Sequence, residues 1–219
     1  DRFLAAIAAH CGKAYVGRIV ANQPAPTTPD AFDNKMLVMH VRGCEQPTQR
    51  IEIPFHVGED RSRTWVLTRT AGGLRLKHDH RHADGKPDAV TMYGGDTADL
   101  GSPTRQAFPV DAESIAMFRR EGLTASVENT WAMEIQPAMF AYELTRPDGR
   151  RFRVEFDLSR PVATPPTPWG WARSKPSGPW ATQAPRPHRS RPCSEASTSL
   201  PPWLCARRRR KPRQNVAGT

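Results

Sequence analysis

His78, His80 and His82 occupy alternate positions of one short segment of the sequence. In a β-strand such residues lie on one face, here the face that also carries Leu74 and Leu76. Same-face neighbours lie about 6.5–7 Å apart, so two adjacent imidazoles can reach one ion, whereas the outer pair cannot. Neutral imidazoles bind Zn, Cu, Fe or Ni, or the iron of haem. We therefore predict a metal or haem-linked cofactor on this strand, with a polar, partly solvated rim as the alternative.

A metal centre on this strand needs a further ligand from elsewhere in the chain. The candidates are His40, Asp84, Tyr93 and Asp96. Gly72, the pair His78 and His80, and Asp84 partly resemble the first motif of the cupins, with Asp where that family has Glu. The resemblance implies a metal-dependent enzyme, in which the bound ion polarises a substrate or activates water.

Three more residues are candidates for contact with an organic ligand. Arg63 lies two positions before Trp65, and this pair can hold an anionic ligand against an aromatic wall. Tyr93 offers a hydroxyl group to the same ligand. The alternative for Arg63 is an outward-facing ion pair with an acid such as Asp60. The alternative for Tyr93 is the end of a strand, followed by a tight turn at Gly94.

Nine short segments have the apolar or alternating patterns that predict β-strands. They are Tyr15–Val20, Met36–Arg42, Arg50–Val57, Arg63–Thr70, Leu74–His82, Ala89–Tyr93, Val127–Ile135, Phe140–Thr145 and Arg151–Leu158. In the last of them Phe152, Val154 and Phe156 share one face and charged residues take the other. This pattern is typical of an antiparallel sheet with one hydrated face. The segments Ala71–Gly73 and Arg146–Arg150 are expected to join neighbouring strands as hairpin turns.

Two helices accompany the predicted strands. The first covers Phe3–Gly12, and the second begins after an N-cap at Asp111 and ends before Gly122. Nine strands with few helices close most economically into an antiparallel up-and-down β-barrel, and a two-sheet sandwich is the alternative. The predicted fold class is therefore all-β, with one or two short helices.

Two resemblances accompany this prediction. The order of elements resembles that of the calycin or lipocalin-like barrels: a short helix comes first, then a first strand opened by Gly12–Arg18, then a meander of strands. The segments Asp60–Arg69 and Gly73–His82 resemble uncharacterised exported proteins of high-GC bacteria. The first resemblance implies only a fold, and the second implies export without a particular activity.

Four cysteines occur in the chain, and none forms a C-x-x-C or zinc-finger spacing. Cys11 and Cys44 are the two in the first 163 residues. In an exported chain they would form a disulfide, and in a cytosolic chain they would be two buried thiols. The start at Asp1 without Met is expected of a mature exported chain. We therefore expect a periplasmic or secreted protein.

The composition changes along the chain. Residues 1–170 balance 21 Lys and Arg against 21 Asp and Glu, whereas the remainder carries the whole net charge of +10. Residues 164–219 are rich in Pro, Ser and Arg, so we predict a folded domain at 1–163 and a disordered tail at 164–219. From about Trp171 onward the tail also has the composition of a high-GC gene read in the wrong frame. No apolar run reaches the roughly 18 residues that a membrane-spanning helix needs.

Three function hypotheses follow from these observations. The first is an exported barrel that binds a small molecule or a metal-linked cofactor, with the histidines at the polar end of its interior. The second is the cupin-like enzyme, and the third is an envelope structural or interaction protein whose barrel is filled by its own side chains. Nucleic acid is not an expected partner, because only the basic tail would attract it.

Overall fold

The computed structural model describes residues 2–28 and 31–171, which form one antiparallel sheet rolled into a nearly closed barrel. Its strands are β1 (Ala14–Gln23), β2 (Leu37–His40), β3 (Arg42–Gln46), β4 (Arg50–Val57), β5 (Asp60–Arg69), β6 (Leu74–His80), β7 (Tyr93–Asp96), β8 (Arg105–Pro109), β9 (Thr130–Gln136), β10 (Met139–Thr145) and β11 (Arg151–Asp157). Its helices are α1 (Arg2–Ala8), α2 (Ala112–Arg120) and a 3₁₀ helix (Thr124–Glu128).

Ten of the eleven strands form the ring, in the order β7-β6-β5-β4-β2-β1-β11-β10-β9-β8. Most neighbours in the ring are also neighbours in sequence, as the predicted hairpin turns require. There are two exceptions: β2 pairs with β4, and the first strand pairs with the last, with Gly17 opposite Phe156. β3 pairs with β4 beyond the end of β2. The predicted up-and-down barrel is confirmed, with ten strands in the ring where lipocalins have eight.

The seam of the ring lies between β7 and β8. The Asp111 backbone amide donates to the Gly94 carbonyl over 2.9 Å, and the Ser114 hydroxyl on α2 accepts from the Gly94 amide over 2.8 Å. Gly94 and Gly95 permit this close approach, because a Cβ at either position would lie within 2 Å of the carbonyl oxygen of Leu76 or Pro109. The alternative explanation of Tyr93, a strand end followed by a tight turn, is therefore wrong, since these glycines lie inside β7.

Other strand predictions differ from the structure in ways that local pattern did not reveal. The predicted strand Ala89–Tyr93 is a loop up to Tyr93, and the predicted strand Val127–Ile135 begins in the 3₁₀ helix. β3 and β8 were not predicted. Both predicted hairpin turns are confirmed, and Asp111 caps α2 by accepting from the Ser114 amide over 2.8 Å.

One end of the barrel is closed by α1 and filled by side chains. Phe3, Leu4 and Ile7 of α1 are buried in the same core as the inward-facing residues of the strands. The predicted helix Phe3–Gly12 ends earlier, at Ala8, and the chain then turns into β1. Cys11 in this turn is bonded to Cys44 on β3, as predicted for an exported chain.

The segment after β11 lies against the outside of the barrel. The Val162 amide donates to Ala14 O over 2.8 Å, and the Trp169 amide donates to Arg61 O over 3.0 Å. Arg42 lies 4.2 Å above the Trp171 ring. Residues 164–171 are thus placed on the barrel, whereas the disorder, frame and nucleic-acid predictions for residues 172–219 lie outside the described residues. No helix in the described part of the chain is long and apolar enough to span a membrane.

We expect the Cys11–Cys44 disulfide to stabilise the barrel by about 3–4 kcal/mol, because it closes a loop with a sequence separation of 33 residues in the unfolded chain. Urea unfolding of the wild type and of the Cys11→Ser/Cys44→Ser variant measures this difference. A reductant should lower the free energy of unfolding of the wild type and leave that of the variant unchanged. Equal unfolding midpoints for the two proteins would contradict the prediction.

Candidate functional site

A cavity of about 280 Å³ lies at the end of the barrel opposite α1. We call it the mouth cavity. The strands β4, β5, β6, β7, β9, β10 and β11 contribute to it, together with α2, the 3₁₀ helix, the β10–β11 turn and the loops before β2, β7 and β9. Its lining is Phe32, Phe55, Arg63, Thr64, Trp65, His78, His80, Val90, Tyr93, Phe118, Leu123, Ser126, Asn129, Trp131, Tyr142, Leu144, Arg150 and Phe152. This end of the barrel is therefore not filled by its own side chains.

Strand register brings the predicted ligand-contacting residues into two rows across the cavity wall. Trp65 on β5 lies opposite His78 on β6, and His78 lies opposite Tyr93 on β7. One step nearer the barrel end, Arg63 lies opposite His80. His78 and His80 occupy the same alternate positions of β6 as Leu74 and Leu76. Their side chains therefore face the interior, as the sequence predicts.

The wall of the mouth cavity is a continuous set of aromatic contacts. The ring centroids of Phe55 and Trp65 are 4.8 Å apart, and those of Trp65 and Tyr142 are 4.5 Å apart. His78 lies 4.6 Å from Tyr93 and 5.0 Å from Trp131. Stacked rings of this kind present a rigid apolar surface.

His78 forms hydrogen bonds to the protein with both ring nitrogens. Nδ1 lies 3.1 Å from the Tyr93 carbonyl oxygen, and Nε2 lies 2.8 Å from the Tyr142 hydroxyl. Because a carbonyl only accepts, Nδ1 carries the proton and the Tyr142 hydroxyl donates to Nε2. Burial lowers the pKa of His78 to about 3 and raises the pKa of Tyr142 well above its usual value. The pair is therefore uncharged.

His80 and Tyr93 form a second polar contact at the edge of the same wall. The Tyr93 hydroxyl lies 3.2 Å from His80 Nε2, and the His80 amide donates to the Thr91 hydroxyl over 2.8 Å. Burial, assisted by the positive charge of Arg63, lowers the pKa of His80 to about 4. Burial raises the pKa of Tyr93 to about 12. Both groups are neutral hydrogen-bonding partners near pH 7.

The third predicted ligand, His82, lies outside the mouth cavity. It follows the end of β6, its side chain is 58% exposed, and its Nε2 lies 3.6 Å from Asp88. The strand ends because the chain turns back at 82–86, where the Gly85 amide donates to His82 O. The three histidines therefore do not share one face towards the interior.

The geometry does not support the predicted metal or haem centre on His78, His80 and His82. His78 has no free nitrogen for an ion, and His82 lies on the surface. Of the further ligands predicted, Asp84 accepts from the Lys86 amide over 2.9 Å and Asp96 pairs with Arg75 outside the barrel. His40 does not line the cavity. Within residues 2–28 and 31–171, no three His, Cys, Asp or Glu side chains are grouped to hold a metal.

Two arginines give the mouth cavity its formal charge. Arg63 forms an ion pair with Asp60, and its Cζ lies 5.7 Å from the centroid of the Phe32 ring. Arg150 donates from Nη1 to Asn22 Oδ1 over 2.6 Å and to the Gln23 carbonyl over 3.3 Å. No Asp or Glu belongs to the described lining.

Asn129 is a buried amide in the lining of the cavity. Its position is fixed by the backbone. The backbone amide of Asn129 donates to Ser126 O, and the backbone carbonyl of Asn129 accepts from the Val110 amide over 2.9 Å. The residue is 7% exposed, and its Oδ1 has no hydrogen-bond partner among the residues that the structure describes. An unpaired buried polar group costs about 1–3 kcal/mol, and a water molecule or a ligand in the cavity can supply the missing hydrogen bond.

The structure thus brings five of the six predicted ligand or metal residues to one cavity. These are Arg63, Trp65, His78, His80 and Tyr93. Sequence reasoning missed Phe32, Asn129 and Arg150, which come from a loop, the residue before β9 and a hairpin turn. Trp131 and Tyr142 belong both to the core and to the cavity wall.

The fold and cavity define a ten-stranded up-and-down barrel with an aromatic pocket at one end. No protein-family model matches the chain, and no curated protein and no solved structure matches it either. The chemistry of the mouth cavity therefore carries the functional argument.

We expect the barrel to lose stability as the pH falls from about 6.5 towards 4. Burial depresses the pKa of His78 and His80 in the folded chain, so their contribution is complete above the unfolded value of 6.5 and is lost below it, as the unfolded chain takes up protons. In urea unfolding across this range, His78→Gln should reduce the slope of the free energy of unfolding against pH by roughly 1 kcal/mol per pH unit. An unchanged slope would contradict the prediction.

The matched control for this experiment is His82→Gln. It removes a histidine of the same segment whose ring is largely hydrated in the folded chain. The His82→Gln variant should keep the slope of the wild type.

We expect Asn129→Leu to raise the free energy of unfolding by about 1 kcal/mol, because it removes an unpaired buried amide and keeps a similar volume. Urea unfolding in the absence of added ligand measures the change. A loss of stability would show that the amide already has a partner, such as an ordered water molecule.

Proposed function

We propose that this protein is an exported binding protein that holds a small, largely apolar molecule in the mouth cavity. The observation that carries the proposal is an aromatic cavity of about 280 Å³ in a barrel whose opposite end is closed and filled by α1. The volume is at the lower limit of ordinary ligand pockets, so it suits a small ring system or a short chain.

The polar groups of the cavity support the same proposal. Stacked rings supply apolar contact, and a few fixed hydrogen-bonding groups at His80, Tyr93 and Asn129 supply orientation. An apolar wall that carries a small number of polar groups is typical of small-molecule sites. His78 is held by the protein on both nitrogens, so its part is to fix Tyr142 and Tyr93 rather than to transfer protons.

Export is supported by the bond between Cys11 and Cys44. Disulfides form and persist in oxidising compartments and are rare in the cytosol. In this chain the bond ties the turn after α1 to β3. We therefore propose a periplasmic or secreted location.

The binding proposal is tested with a variant that fills the mouth cavity. Val90 lies in the lining, and Val90→Trp adds a bulky ring there. We expect calorimetric titration of the full chain with naphthalenemethanol or octanol to show saturable binding, weakened about tenfold or more by Val90→Trp. Val20→Trp is the control, because Val20 is exposed on β1 and does not line the cavity.

Two outcomes contradict the binding proposal. One is a wild type that binds no small apolar probe, whether neutral or ionised. The other is equal binding by the wild type and by a Val90→Trp variant that retains the wild-type circular dichroism and melting temperature. A second filled variant, Ser126→Phe, covers the case in which Val90→Trp fails to fold.

The export proposal is tested by peptide mapping of the protein from cells that were treated with a thiol-blocking reagent before lysis. A peptide pair joined through Cys11 and Cys44 is expected. Blocked free thiols at both positions would contradict an oxidising location.

A further inference from the structure

We infer that the ligand of the mouth cavity is an amphipathic organic anion, with an apolar body against the aromatic wall and a carboxylate-like group between Arg63 and Arg150. This inference rests on the proposed function and specifies the chemical class of the ligand. It starts from the charge of the lining, which includes two arginines and no described acid. The charged side chains of the described lining are both cationic, so an anion would meet two guanidinium groups, one of which is paired with Asp60.

Arg150 is the stronger of the two candidate anchors. The described residues give it two neutral oxygen partners, Asn22 Oδ1 and Gln23 O, both through Nη1. These bonds hold the side chain in place without neutralising it. A guanidinium has five N–H donors in a plane, so the remaining donors match the two oxygens of a carboxylate.

Arg63 lies on β5, opposite both Phe55 and His80. Its ion pair with Asp60 occupies Nη1 and leaves other donors of the same group. Asp60 reduces the net charge that Arg63 presents, so we expect it to contribute less than Arg150 to the binding of an anion.

An aromatic pair lies between the two arginines. The ring centroids of Phe32 and Phe152 are 4.9 Å apart. Arg63 Cζ lies 5.7 Å from the Phe32 ring, and Arg150 Cζ lies 6.0 Å from the Phe152 ring. The anionic group would therefore bind where the two guanidinium groups border the aromatic surface, and the apolar body would extend from there into the cavity.

The titratable groups described in the deeper part of the cavity are uncharged. His78 and His80 carry depressed pKa values and are neutral near pH 7. The two tyrosine hydroxyls, of Tyr93 and Tyr142, have raised pKa values and stay protonated. The lining thus separates a charged border from an uncharged interior, which matches a ligand with one charged end.

The test compares two pairs of probes that share an apolar body and differ in charge. The full chain is titrated calorimetrically at pH 7 with naphthoate and naphthalenemethanol, and with octanoate and octanol. We expect each carboxylate to bind about tenfold more tightly than its alcohol, because charge-assisted hydrogen bonds exceed neutral ones by about 1–2 kcal/mol. The preference should shrink at high salt, since it is electrostatic.

Arginine variants assign the preference to its source. Arg150→Gln should reduce the ratio of the two dissociation constants to near parity, and Arg63→Gln should reduce it less. Arg69→Gln is the matched control, because Arg69 is an exposed residue of β5 at the opposite end of the same strand. For each variant, the dissociation constant of the alcohol is divided by that of the carboxylate. A general change of fold or stability affects both constants and therefore cancels from this ratio.

The outcomes separate the inference from the proposed function. Binding of the alcohols without preference for the carboxylates overturns the anion inference and leaves the binding function intact. A preference that survives in both Arg150→Gln and Arg63→Gln also overturns it. If neither member of either pair binds the wild type, the binding function itself is wrong.

Discussion

The width of a ten-stranded ring is the physical constraint on which this structure depends. Eight strands enclose an interior that side chains can just fill, and the diameter grows with each added strand. The protein meets this constraint differently at the two ends of the barrel. At one end α1 inserts Phe3, Leu4 and Ile7 and is fixed by the Cys11–Cys44 bond. At the other end large rings line the wall, and the remaining space is the mouth cavity.

The polar groups inside the apolar half of the barrel are tolerated because they satisfy one another. His78 donates to a backbone carbonyl and accepts from Tyr142, so the imidazole is buried without charge and without an unpaired nitrogen. The same bonds fix the rings that form the cavity wall. Asn129 differs, because its Oδ1 has no partner among the described residues. It is therefore a point in the cavity wall where a water molecule or a ligand can complete the hydrogen bonding.

Local sequence chemistry predicted the barrel well, because alternation, hairpin turns and helix caps depend on near neighbours. It also gave the inward direction of His78, which follows from the parity of β6. It failed where distant segments decide the structure. Gly94 and Gly95 have the local signature of a turn, yet the approach of two other strands makes them a strand. His82 lay beyond an unrecognised strand end, and Arg150 reaches the cavity only because the ring brings its turn to that end.

The pairing of β1 with β11 determines when the barrel can form. These two strands come from opposite ends of the described chain, and Gly17 provides the space into which the Phe156 ring packs. A ring that joins its first strand to its last cannot close while the last strand is still inside the ribosome. Closure depends on contacts between residues that are far apart in sequence, which favours slow folding. Until β11 is in place, apolar surface of the earlier strands is open to contact with other chains.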